Sequence, residues 1–187
     1  MRLFAAVLPP DRAVAELAEG VRTLRDLPGA DRLSWTGEAG WHFTLAFYGE
    51  VDDGLVPELQ TRLGRAAARR AAFGLRLLHG GRFGQRALWA GAEGDVAEMS
   101  RLAGASLAAG RRAGLSVEEH RSYTPHLTIA RNRADTDLRP FVGALAEFEG
   151  TPWTVEELCL VRSNLPAGGR PGERPRYETV GAWTLGG

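Results

Sequence analysis

The chain has 187 residues, 44% of them hydrophobic, enough to fill one core at the upper end of ordinary domain size. Its 23 basic and 23 acidic residues cancel, so no whole-molecule field favours tight binding of duplex nucleic acid, and an anionic ligand needs a local site. The single Cys159 excludes an internal disulfide, the absence of any lysine excludes Schiff-base chemistry, and no apolar run approaches the roughly 20 residues of a membrane-crossing helix.

Residues 2–8 read as a short apolar strand, because Pro9-Pro10 cuts the run off before it reaches the length of a signal-peptide core. With one cysteine and no such segment, a cytoplasmic location is expected. From Asp11, the residues Val14, Leu17, Val21 and Leu24 recur at helical spacing until Pro28-Gly29 closes the helix. An alternating strand follows at residues 43–47, and Asp52 and Asp53 are candidate caps for a second helix carrying Leu55, Leu59 and Leu63. Residues 74–78 and 87–91 read as two strands joined through a glycine-rich turn from Gly80-Gly81 to Gly84. A third helix is predicted after Asp95 through Met99, Leu102 and Leu107 toward Gly114. A strand then starts at His126, a short helix spans residues 138–145, and residues 155–162 and 177–185 close the fold as strands. The Gly, Pro and Arg run at 166–175 reads as a surface loop, since a lone strand beyond it could not fold by itself. One domain over residues 1–187, of mixed α+β class, is the expectation, and a monomer is expected.

Two segments repeat one another: His42-Phe43-Thr44-Leu45-Ala46 and His126-Leu127-Thr128-Ile129-Ala130, their histidines 84 residues apart. In a strand, residues i and i+2 share a face, so each His stands beside its Thr while the apolar residues turn into the core. Pro125, lacking an N–H, suits the residue that opens a strand. Two imidazoles and two hydroxyls around one cleft suit the opening of a cyclic phosphodiester. One imidazole takes the proton of water, the other protonates the departing ribose oxygen, and the hydroxyls donate to the non-bridging oxygens. Imidazoles titrating near 6.5 can serve both roles close to neutrality. Neither a metal nor another cofactor is required.

The paired His-x-Thr-apolar motifs resemble those of the 2H phosphoesterase superfamily, and their surroundings resemble its RNA 2′,3′-cyclic phosphodiesterase branch, also called 2′-5′ RNA ligase-like. The likeness runs through Arg2-Leu3-Phe4, residues 45–49, Leu88-Trp89, residues 125–131 and Tyr177-Glu178. It implies a bilobal, pseudo-twofold α+β fold with two antiparallel sheets facing a central cleft and helices outside. It implies His42 as proton donor to the leaving 3′ oxygen, His126 as the base that activates water, and a terminal 2′-phosphate as product. It also implies Thr44 and Thr128 as phosphate contacts, with Arg131 as a further phosphate ligand, and RNA with a 2′,3′-cyclic phosphate end as partner. The sequence departs from the usual wording at Trp41 and Tyr48, where Leu, and Leu or Phe, are commoner.

Blander readings exist for each residue. A single strand histidine is more often a structural one, Thr is an ordinary β-former, and Arg131 could be a solvated strand end. His79 and His120 lack a matching Thr and are expected to be structural or solvated. Trp41, Tyr48, Phe83 and Tyr123 are expected in the core or at a rim, and the Arg69-Arg70 and Arg111-Arg112 pairs on solvated helix faces. Three other functions remain open to the sequence. The motifs fit small cyclic nucleotides or 2′,5′-linked oligonucleotides equally well; a non-catalytic RNA-end binder would keep the same frame; and a metallohydrolase would need a ligand cluster that no His-x-His or HExxH supplies.

Overall fold

The computed structural model describes residues 1–118, 122–166 and 174–186. Among these, nine strands form one curled antiparallel sheet: β1 (Arg2–Val7), β2 (Leu33–Trp35), β3 (Phe43–Glu50), β4 (Phe73–Phe83), β5 (Ala87–Gly94), β6 (His126–Asn132), β7 (Trp153–Val155), β8 (Glu157–Asn164) and β9 (Arg176–Thr184). The strand order is β7-β4-β5-β6-β3-β1-β8-β9, with β2 added against β6. Four helices accompany it among the described residues: α1 (Asp11–Leu24), α2 (Val56–Ala68), α3 (Val96–Arg112) and α4 (Arg139–Ala144).

The expectation of two separate facing sheets is corrected. Two halves of the sheet meet at a single residue pair, Phe43 with Leu127, through which β3 and β6 join. Both side chains are fully buried, so the join is sealed by packing as well as by pairing. An antiparallel pair carries a local twofold axis. Here that axis passes between the second residues of the two repeated motifs.

All the long helices lie on one side of the sheet. Leu17, Val21 and Leu24 of α1, Leu59 and Leu63 of α2, and Met99 and Leu102 of α3 share one core with Phe43, Leu45, Leu127 and Ile129. These are the helical periodicities read from the sequence. The other, concave face carries a small separate cluster of Phe4, Ala6, Cys159 and Val161.

Several local expectations change. Asp52 and Asp53 do not cap α2: residues Asp53–Leu55 form a 3-10 turn, and the helix starts at Val56 with Pro57 in its first turn. Proline presets the helical φ at that position, and Asp53 instead lies 3.9 Å from the N-terminal ammonium. Gly80-Gly81 do not turn the chain. They lie inside β4, which runs on to Phe83, and a bulge falls at His79, whose φ is +54°. A Cβ on Gly80 would collide with Leu145, and one on Gly81 with the Trp89 ring, so these glycines serve close packing rather than reversal. The three-residue strands β2 and β7 are too short for any periodicity to reveal. Most of the loop expected at 166–175, and His120, lie outside the described residues.

Candidate active site

His42 stands immediately before β3, and His126 opens β6. Continuing the Phe43–Leu127 register by one residue in each direction sets His42 beside Thr128 and Thr44 beside His126. The two motifs thus converge on one patch of the concave face. Each imidazole is held the same way. His42 Nδ1–H donates to the Gly40 carbonyl at 2.7 Å, and His126 Nδ1–H donates to the Thr124 carbonyl at 2.8 Å, in both cases two residues upstream. A carbonyl only accepts, so Nδ1 carries the proton of each neutral ring and Nε2 is left to work. His42 Nε2 accepts from the Thr44 hydroxyl at 3.0 Å.

Aromatic rings brace both imidazoles. The Phe4 ring centroid lies 4.5 Å and that of Tyr177 5.4 Å from His42; for His126 the distances are 4.7 Å to Phe83, edge-on, and 6.0 Å to Trp89. Phe4 sits on the strand next to β3, and Trp89 on the strand next to β6, so the bracing follows the local twofold. Trp41 and Tyr48 belong to the core instead: both are buried, and the Tyr48 hydroxyl donates to the Ser106 carbonyl of α3 at 2.8 Å. Tyr123 donates to the Thr44 carbonyl at 2.8 Å and steadies the first motif from behind. Phe83, 43% exposed, is the aromatic that faces solvent beside His126. His79 is exposed on its bulge.

Both motifs contain a bulge at the same place. On β3, Thr44 pairs with Ala6 and Ala46 with the next residue back, Ala5, so Leu45 is extra. On β6, Thr128 pairs with Trp89 and Ala130 with Leu88, so Ile129 is extra. In each case the extra residue and the alanine after it are both buried. The bulge shifts the alternation by one. Arg131 would otherwise share the helix-covered face with Leu127 and Ile129; the shift turns it to the face of His126 and Thr128. The corresponding position of the first motif holds the exposed Phe47, with the Arg2 guanidinium 4.9 Å from its ring centroid. The pair of adjacent apolar residues after each Thr is the sequence signal from which this could have been read.

Burial lowers the pKa of His42 below the ordinary imidazole value, and the positive charges of His126 and Arg131 lower it further. The hydrogen bond to Gly40 opposes them. That His126 and Arg131 act on His42 by charge is itself a consequence of their convergence. Because the folded state disfavours the proton that the unfolded chain binds, this term is fully present above the unfolded value of 6.5 and fades as pH falls through the lowered value. Among the described residues, no group of three or more His, Cys, Asp or Glu side chains could hold a metal ion, and no helix is long and apolar enough to cross a membrane.

Comparison with known proteins agrees with this frame. The family model of the 2′-5′ RNA ligase superfamily matches residues 9–166. The chain belongs to that superfamily. An RNA 2′,3′-cyclic phosphodiesterase of Thermus thermophilus is 32% identical over the whole chain and 91% of its own length. A second relative of that name, from Geobacillus stearothermophilus, is 31% identical over 81% of the chain, which spans 48% of that relative's length. A crystal structure of a Thermus thermophilus protein superposes with a TM-score of 0.78 at 29% identity, covering 100% of this chain and 99% of the other. Within the superfamily frame, the brace around His126 depends on one absent side chain. Gly81→Val is expected to push the Trp89 ring out of place and lower activity about tenfold or more, since small misplacements at a reacting site are costly. The check is turnover together with Trp fluorescence, and unchanged turnover would count against the brace.

Proposed function

We propose that the protein is an RNA 2′,3′-cyclic phosphodiesterase that opens a terminal cyclic phosphate to a 2′-phosphate by two-histidine acid and base catalysis. The observation that carries this reading is the symmetric pair of imidazoles, each tied through Nδ1 to a carbonyl and each beside a threonine hydroxyl across one residue pair. His126 Nε2 takes a proton from water as the water oxygen bonds to phosphorus. The P–O3′ bond breaks, and His42 delivers its proton to the 3′ oxygen, leaving a 3′-hydroxyl and a 2′-phosphate. Thr44, Thr128 and Arg131 hold the non-bridging oxygens, whose charge the transition state must have stabilised. No metal or covalent intermediate enters the scheme. The same ring opening with an RNA 5′-hydroxyl in place of water, its proton going to His126 and the 3′ oxygen leaving with the proton of His42, gives a 2′,5′ linkage and is the minor outcome in water.

The lowered pKa of His42 works against its acid role until substrate arrives. The anionic phosphate then favours the imidazolium, so the proton is present when needed. The alkaline limb of kcat, which reports the substrate complex, is therefore expected at higher pH than the alkaline limb of kcat/KM, which reports the free protein. Coincident limbs would count against His42 as the acid.

Arg131→Ala is expected to raise KM about tenfold with kcat little changed, the scale of one charge-assisted hydrogen bond. An unchanged KM removes Arg131 from the phosphate site. The proposed activity is tested by incubating the protein with an oligoribonucleotide bearing a 2′,3′-cyclic end, a 2′,3′-cyclic mononucleotide and a 2′,5′-linked dinucleotide. Fastest turnover of the first, with the 2′-phosphate as product, is expected. Binding of the RNA end without turnover would make the protein an end binder, and preference for either small substrate would move the assignment to that nucleotide.

A further inference from the structure

The arginine pairs at 69–70 and 111–112 are expected from sequence on solvated helix faces. In the structure Arg69, Arg70 and Arg112 come together in the groove between α2 and α3, joined there by Arg62, Arg65 and Arg101. Among the described residues, two of these six guanidiniums have a carboxylate partner: Arg62 pairs with Glu58, and Arg101 with Glu98. Beyond Glu58 and Glu98, neither helix carries another acidic residue. Four cations are thus left to repel one another in one groove of a chain whose total charge is zero. The folded state tolerates such a cluster at a cost in stability that a bound anion would remove.

The groove has room, about 470 Å³, for more than one phosphate group. Its floor is Ala66, Gly104, Ala105 and Ala108, with no aromatic or large apolar side chain and no carboxamide or hydroxyl. Protein partners are normally anchored by such large apolar groups, which are absent here. Planar guanidiniums above a smooth floor instead match a row of evenly spaced monoanions, read without regard to base. The histidines lie on the opposite face of the sheet, so this groove does not take the reacting phosphate.

We propose that the groove between α2 and α3 binds the sugar-phosphate backbone of RNA at a distance from the end that enters the cleft. The choice of RNA among polyanions rests on the function proposed above; the anionic character of the ligand does not. Contact with both places requires a strand that rounds the sheet and helix layers, so affinity depends on RNA length.

The test uses fluorescence anisotropy with 2′-phosphate-ended RNA, which is not turned over, as a trinucleotide and as an oligomer of about 12 nucleotides, within the usual span of single-strand grooves. The full chain and the triple variant Arg65→Gln, Arg69→Gln, Arg112→Gln, all exposed positions, are compared at several salt concentrations. The wild type is expected to bind the longer RNA about tenfold tighter or more. In the variant that advantage disappears, and the slope of log K against log salt shrinks by about 2, the share of three phosphate contacts. Turnover of a 2′,3′-cyclic mononucleotide stays unchanged. Equal length dependence and salt slope in the two proteins, no length dependence in the wild type, or equal competition by polyglutamate of matched charge would each overturn the proposal. Failure of the wild type to hydrolyse any cyclic phosphate would sink the reading of the cleft, while the binding comparison would still decide the groove.

Discussion

Replacing either His42 or His126 with alanine is expected to lower turnover by about 10²-fold or more, the scale of a lost general acid or base. The effect should fall on kcat. Neither ring anchors the fold: each lies half-buried on the concave face, and its one backbone bond reaches only two residues along the chain. Urea midpoints of both variants should therefore stay near that of the wild type. In the proposed scheme the two proton transfers belong to one displacement, so the double variant is expected to be little worse than either single one. A His42→Ala protein with wild-type turnover would end the role assigned to that residue. Additive losses would mean that the two rings serve separate steps.

The largest expected effect on stability belongs to Phe43→Ala. Phe43 is fully buried, pairs with Val7 of β1 on one side and Leu127 of β6 on the other, and is the residue through which the two halves of the sheet join. Truncating a buried phenylalanine costs about 3–5 kcal/mol through lost transfer energy and the cavity left behind. At this position the cavity opens beneath both histidines. Activity should therefore fall further than the unfolded fraction explains, which the milder Phe43→Leu, expected to fold, makes measurable. A loss under about 1 kcal/mol in chemical denaturation would mean that the halves are held together elsewhere.

Much of this architecture is legible in the sequence because burial is written as spacing. The residues Leu17, Val21 and Leu24, then Leu59 and Leu63, then Met99 and Leu102, recur with the helical period, and all of them enter the core. The candidate site is legible because a doubled His-x-Thr pattern is rare where a single one is common, and the structure brings the two copies side by side. What the sequence hides is of three kinds. The short strands β2 and β7 carry no periodicity and exist through their neighbours, β6 and β4. Gly80-Gly81 carry the usual signature of a turn, yet their small size is needed by Leu145 and Trp89, residues distant along the chain. The side on which Arg131 emerges depends on a bulge at Ile129, which strict alternation denies. Whether two sheets are separate or joined depends on one residue pair, Phe43 and Leu127, below what any pattern along the chain can resolve.

The mechanism requires two imidazole Nε2 atoms on opposite sides of one phosphorus atom. A crystal structure with a 2′-phosphorylated ribonucleotide soaked into the cleft measures this directly. The phosphate is expected between His42 and His126, with oxygens within hydrogen-bond reach of both Nε2 atoms and of the Thr44 and Thr128 hydroxyls. A phosphate seated against one ring alone, or bound on another face while the cleft holds only solvent, would contradict it.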